Sequence, residues 1–209
     1  MSGLDCSRLT VVARSIALCV ALLAPAVSVA QEKASPAQAP GSRWWFGAGG
    51  GYLAGRAACS NCESDLPYED GFGFMVQGGL RATARLLVGG EVFTADQTLP
   101  SGDFRNTHLL GIVEFRPFQS AGFFLKGGYG MAVAKGVFPV EGGGQTTART
   151  WGMGVIYGAG WIFGDGRRVS VAPVAATYIT TIGDISAPQG TATNVVVNGW
   201  FLGATVMFR

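Results

Sequence analysis

Few residues of this chain are placed to do chemistry, and most of them are charges set inside otherwise apolar stretches. Arg81, Glu91, Glu114, Arg116 and Lys126 form the clearest set. Both signs are present, and by alternation along the chain all five share one face. A charge held away from water is tolerated only when it is paired, so an ion-paired cluster is expected here. A gated polar path is the functional alternative to such a plug. Cys59-Ser60-Asn61-Cys62 is the second candidate. Two thiols at this spacing could close a small disulfide or supply half of a metal site, but only one histidine, His108, is available to complete one. A Cys59–Cys62 disulfide bracing a loop is the expectation. His108 is also the one candidate general base. A lipid-modifying enzyme would want a partner serine nearby, whereas Leu109-Leu110 follow it. Gly47-Ala48-Gly49 and Gly142-Gly143-Gly144 look like phosphate loops only on the surface. Neither lies between a strand and a helix with a following Lys-Ser/Thr. No catalytic residue, cofactor or metal is assigned.

The elements that must hold these residues begin after an export signal. Arg8 and Arg14 precede an apolar run from Ser15 to Val27, and Ser28-Val29-Ala30 offers small residues for cleavage before Gln31. Residues 1–30 therefore read as a signal peptide, too short in its apolar core to span a bilayer. Residues 31–43, rich in Pro, Ala, Ser and Gly, read as a disordered leader, and 44–209 as one domain. Loss of Arg8, Arg14 and Asp5 takes the formal charge from +2 to +1, with no basic tract, so nucleic acid is not an expected partner. Only 13% of residues are charged, 48% are hydrophobic and 33 are glycine. So little charge leaves a surface suited to lipid, yet residues 31–209 contain no apolar run long enough for a transmembrane helix. A closed barrel is the other structure that satisfies every backbone group in hydrocarbon.

Eight runs alternate with period two, as strands with two different faces do. They are predicted near Trp44–Ala54, Gly71–Ala82, Leu86–Ala95, Asn106–Arg116, Phe123–Val133, Thr150–Trp161, Arg168–Tyr178 and Asn194–Arg209. Short turns follow the second, fourth and sixth, and long loops follow the others. Strict alternation of this kind predicts an all-β, eight-stranded antiparallel up-and-down transmembrane β-barrel, with loops at one end and turns and termini at the other. Pro173 predicts a bulge or distorted pairing in strand 7.

The faces differ in kind. Trp151, Met153, Val155, Tyr157 and Trp161 alternate with Gly152, Gly154, Ile156, Gly158 and Gly160. The small face suits the lumen of a narrow barrel, where about eight strands leave an interior that side chains fill. Trp44, Trp45, Phe46, Phe115, Phe118, Phe123, Trp161, Phe163 and Phe208 fall near the turn end. Tyr52, Phe72, Phe93, Phe138, Trp151 and Tyr178 fall near the loop end. Two aromatic belts at the bilayer boundaries are expected.

The glycine-aromatic strands, such as Gly49-Gly50-Gly51-Tyr52, and the final strand Gly199–Arg209 resemble the small eight-stranded outer-membrane barrels. That family includes the OmpA transmembrane domain, OmpX and the opacity proteins. Its members usually end on an aromatic residue, whereas here Phe208 is followed by Arg209. The resemblance implies a role in envelope integrity or surface interaction, and carries over no catalytic residues.

The resulting expectation is a Gram-negative outer-membrane protein, monomeric, with a plugged lumen and four extracellular loops. Its partners would be outer-membrane lipid and a surface partner met by the loops. A soluble secreted barrel binding a small apolar ligand is the first alternative, and a lipid-modifying enzyme the second.

Overall fold

The computed structural model describes residues 43–61, 68–99, 102–118, 121–140, 143–164, 167–187 and 190–209. The predicted signal peptide and nearly all of the leader lie outside them. Eight strands follow in chain order: β1 Trp44–Ala58, β2 Glu69–Arg81, β3 Leu86–Leu99, β4 Gly102–Phe115, β5 Phe123–Val140, β6 Gly144–Trp161, β7 Val169–Ala187 and β8 Gly190–Phe208. Each pairs antiparallel with its neighbours, and β1 closes on β8 from Phe46↔Phe208 to Ala58↔Val196. Closure removes both sheet edges, so the wall presents no unpaired ladder.

Alternation is carried through into space. On β4, Asn106, His108, Leu110, Ile112 and Glu114 are buried, while Leu109, Gly111 and Val113 face outward. The outer face of the wall is apolar: Val76 is 63% exposed, Leu109 61%, Trp151 57% and Leu202 66%. Soluble monomers rarely expose an apolar area of this extent. The set expected outward on β6, Trp151, Met153, Val155, Tyr157 and Trp161, falls on this surface.

The inner face is filled by matching large side chains to glycines. Phe201 occupies the space where a Cβ on Gly203 would stand, 2.3 Å from its Cζ. Phe124 does the same to Gly160, at 2.4 Å. The glycine face read from the sequence is therefore the complement of a few aromatic rings and not empty space.

Two expectations are corrected. The strands run well beyond the predicted limits, to 18 residues in β5 and β6 and 19 in β7 and β8. Their outer thirds, rich in Thr, Arg and Lys, leave the apolar band, and apolar alternation no longer marks them. Of the four predicted long loops, three are therefore extended hairpins, leaving few residues between β3 and β4, β5 and β6, or β7 and β8. The expected disturbance at Pro173 falls on one side only: its pairing with Ala204 on β8 is regular, whereas the β6 ladder stops at Gly160↔Val174 and resumes as the single bridge Phe163↔Val171, skipping the rung that the missing proline N–H would serve. Further irregularities lie at Thr181/Gly183 and Gly183/Ile185. Finally, Trp45, Phe93 and Tyr178, assigned to the belts, are buried in the lumen.

Gly203→Val should lower barrel stability by about 2 kcal/mol or more, because Phe201 and the Gly50 carbonyl leave its side chain no room. Gly127, whose Cβ would meet nothing within 4 Å, should accept alanine at a cost within about 0.5 kcal/mol. Urea midpoints of the folded protein in lipid vesicles measure both, and equal shifts would contradict this packing.

Candidate functional site in the lumen

The polar side chains that the wall directs inward form layers along the barrel axis. The middle layer is built on register. Gln77 lies opposite Glu91 across β2 and β3, and Lys126 lies on β5 opposite Glu114 on β4. The Lys126 ammonium is ion-paired with Glu91 and donates to Gln77 Oε1 at 2.7 Å. The other Glu91 oxygen accepts the Tyr178 hydroxyl at 2.9 Å. Both charged side chains are essentially fully buried, so the pair is stable only because these further hydrogen bonds satisfy it.

Above it, toward the loop end, lies an aromatic layer. The Phe93 and Tyr178 rings stack at 3.7 Å between centroids, and Phe201 stands edge-on to both. His108 is edge-on to Phe93 and Tyr178, and its Nε2 is 3.1 Å from Thr180 Oγ1. Asn106 Nδ2 donates to the same hydroxyl at 2.9 Å. The free space bordering these residues is about 10 Å³, no more than a single water needs.

Below the middle layer, toward the turn end, Glu114 is completely buried and its carboxylate makes no hydrogen bond among the described residues. Lys126, Arg116 and Arg209 surround it at coulombic range. Four of the five predicted cluster residues therefore come together in the lumen: Glu91, Lys126, Glu114 and Arg116. Arg81 does not. It has the inward parity, but as the last residue of β2 it stands where the wall ends and is solvent-exposed. Sequence reasoning missed Gln77, Tyr178 and Thr180, whose hydrogen bonds complete the site. Parity with Arg81 on β2 was the available signal for Gln77, whereas β7 carries none of the charged set and offered no such signal for Tyr178 and Thr180. The arrangement sets buried acids and bases of both signs along the bore.

At the loop end, Cys59 is disulfide-bonded, and the predicted partner Cys62 lies outside the described residues. Asn61, which the sequence did not single out, ties this segment to β8. Its amide donates to the Thr191 carbonyl at 2.7 Å and accepts from the Thr193 backbone N–H at 2.9 Å. An open depression of about 320 Å³ lies beside the β3–β4 hairpin, bordered by Asp96, Asp103, Arg105 and Lys135. Asp96 and Arg105 pair across it at 2.5 Å and 3.0 Å.

No protein-family model and no curated protein matches the sequence. Solved structures do. Neisserial surface protein A is 18% identical, with a TM-score of 0.53 over 80% of this chain and 97% of that one. Ail, the attachment invasion locus protein of Yersinia pestis, is 16% identical, with a TM-score of 0.55 over 80% of this chain and 100% of that one. One structure of Ail holds the heparin analogue sucrose octasulfate. The fold is that of the small eight-stranded outer-membrane β-barrels.

Lys126→Met should cost about 3–5 kcal/mol, because it leaves the Glu91 carboxylate buried without its cation. Glu91→Gln added to Lys126→Met should recover much of that loss. Urea titration of the single and double variants decides it, and strictly additive losses would mean the pair is not coupled.

Proposed function

We propose that the protein is an integral outer-membrane β-barrel of a Gram-negative envelope, monomeric and closed by its own lumen. In this reading it works as a structural or surface-interaction element through its loop end. The observation that carries it is the continuous apolar outer face, with Val76, Leu109, Trp151 and Leu202 more than half exposed on a wall without edges. Water would not support that surface, and hydrocarbon requires a closed ladder. The termini and short turns then face the periplasm, and the long hairpins project outside. Both structural neighbours are barrels named for surface exposure or attachment, which agrees with a role at the outer rim.

The small space beside the lumen aromatics argues against a soluble carrier, since its roughly 10 Å³ holds no apolar ligand. It argues equally against conduction. A lipid-modifying role is disfavoured by the position of His108, which is buried in the bore against Thr180 and the Phe93–Tyr178 stack. A lipid outside the wall cannot reach it. We read the Cys59–Cys62 segment as a rigid contact site, braced by the disulfide and by Asn61.

The protein should be recovered entirely with membranes and should change electrophoretic mobility on boiling. In a bilayer, Val76→Arg should reduce folding stability by about 2–4 kcal/mol. Recovery as a soluble protein that tolerates Val76→Arg without loss would overturn the membrane reading. Replacing Cys59 and Cys62 together by Ser should leave the boiling shift intact while speeding proteolysis between β1 and β2. Loss of the shift would show that the disulfide holds the barrel and not the loop.

A further inference from the structure

The turn end of the barrel carries an arc of six arginines, of which only Arg116 and Arg209 lie against the lumen cluster. Arg43 precedes β1, Arg81 ends β2, Arg85 precedes β3, Arg116 follows β4, Arg168 precedes β7 and Arg209 follows β8. Each continues the inward parity of its strand, as shown by buried Trp45, Leu87, Glu114, Ser170 and Met207 two residues away and, for Arg81, by buried Gln77 four residues before it. Backbone hydrogen bonds join them in neighbouring pairs. Arg81 N–H donates to Arg43 O at 2.8 Å, Arg116 to Arg85 at 2.8 Å, and Arg209 to Arg168 at 3.1 Å. Because β8 adjoins β1, the six form one arc over β7, β8, β1, β2, β3 and β4. Exposed Arg167 lies beside it in the β6–β7 turn.

Arg116 and Arg209 lie at coulombic range of Glu114. Arg43, Arg81, Arg85 and Arg168 are solvent-exposed, and none of the four makes an ion pair with a described residue. Outside the bore, the described acidic side chains Glu69, Asp70, Asp96, Asp103 and Asp184 all lie on strand parts at the loop end, where Asp96 neutralises Arg105, and Asp165 of the β6–β7 turn lies outside the described residues. Like charges directly opposite on adjacent strands repel. Here they are repeated around one axis, with the single buried carboxylate of Glu114 for company among the described residues of that end. Neighbouring strands are about 5 Å apart, so adjacent guanidinium forks can engage separate oxygens of one multivalent oxyanion.

We propose that this mouth is a binding site for a phosphate-type anion with several charges, met by Arg43, Arg81, Arg85 and Arg168. The source is a soluble phosphate compound or the headgroups of an anionic lipid. The site goes beyond the surface role proposed above and does not depend on it, because it is complete in the barrel alone.

The test is calorimetric titration of pyrophosphate into the full chain folded in nonionic detergent, with folding checked by the boiling shift and ionic strength matched with KCl. Saturable binding is expected, weakened about tenfold by Arg81→Gln alone. It should be lost in the Arg43, Arg81, Arg85 and Arg168 quadruple Gln variant. It should be unchanged when Arg105, Lys135 and Arg149 at the other end become Gln. Heat reproduced by KCl, or equal weakening by the opposite-end variant, would overturn the site. Repeating the titration in nanodiscs separates the sources. Binding in phosphatidylcholine that disappears in phosphatidylglycerol identifies the lipid headgroup as occupant, and binding in both identifies the soluble anion. Failure of the protein to enter nanodiscs would count against the membrane reading alone, since the detergent titration stands without it.

Discussion

Closure of the hydrogen-bonded wall is the constraint on which the rest depends. Eight antiparallel ladders, the last joining β1 to β8, leave the wall without an edge strand. Once closed, a wall of eight strands has two surfaces of very different demand. The outer one can be apolar everywhere, because the backbone asks nothing of the surroundings. The inner one encloses a bore so narrow that every large side chain must be matched by a small one across from it. Gly203 against Phe201 and Gly160 against Phe124 are this constraint at single residues.

The same narrowness governs the lumen chemistry. A buried Lys126–Glu91 pair would be a net cost if only the two charges met, since desolvation can exceed the attraction. Gln77 and Tyr178 change that balance by occupying the remaining donor and acceptor sites. Tyr178 reaches Glu91 because its ring stacks on Phe93, so the aromatic layer and the ionic layer position one another. Glu114 is held differently: it makes no hydrogen bond among the described residues, and Lys126, Arg116 and Arg209 at coulombic range offset its desolvation only in part. Two carboxylates in one bore are thus held by different physics.

Much of this was legible because a strand has period two and lipid is the extreme of apolar solvents. Trp151, Met153, Val155 and Tyr157 announced the outward face, and Glu91, Glu114 and Lys126 the inward one. What failed had physical causes. The strand ends above the bilayer obey no apolar alternation, so Asp96–Arg105 and Ile179–Thr193 read as loops although they continue as hairpins. Phe93 and Tyr178 were placed in a belt because an aromatic near a strand end fits either a membrane boundary or a lumen. Parity with Glu91 would have decided for Phe93. For Arg81 parity was right and depth was wrong, since an inward residue at the last rung has no opposite wall to bury it.

With the wall committed to lipid and the bore to packing, chemistry is left to the two ends, and these are not equivalent. The loop end mixes signs, so its charges can be answered locally, as Asp96 answers Arg105. Among the described residues the turn end is almost of one sign, and its arginines are held next to one another by the ladder itself. A protein spreads such charges apart by changing residues at exposed rungs, where substitutions cost little. Keeping them in register around one axis is a cost without return for the isolated barrel, and it becomes favourable only when an anion sits among them.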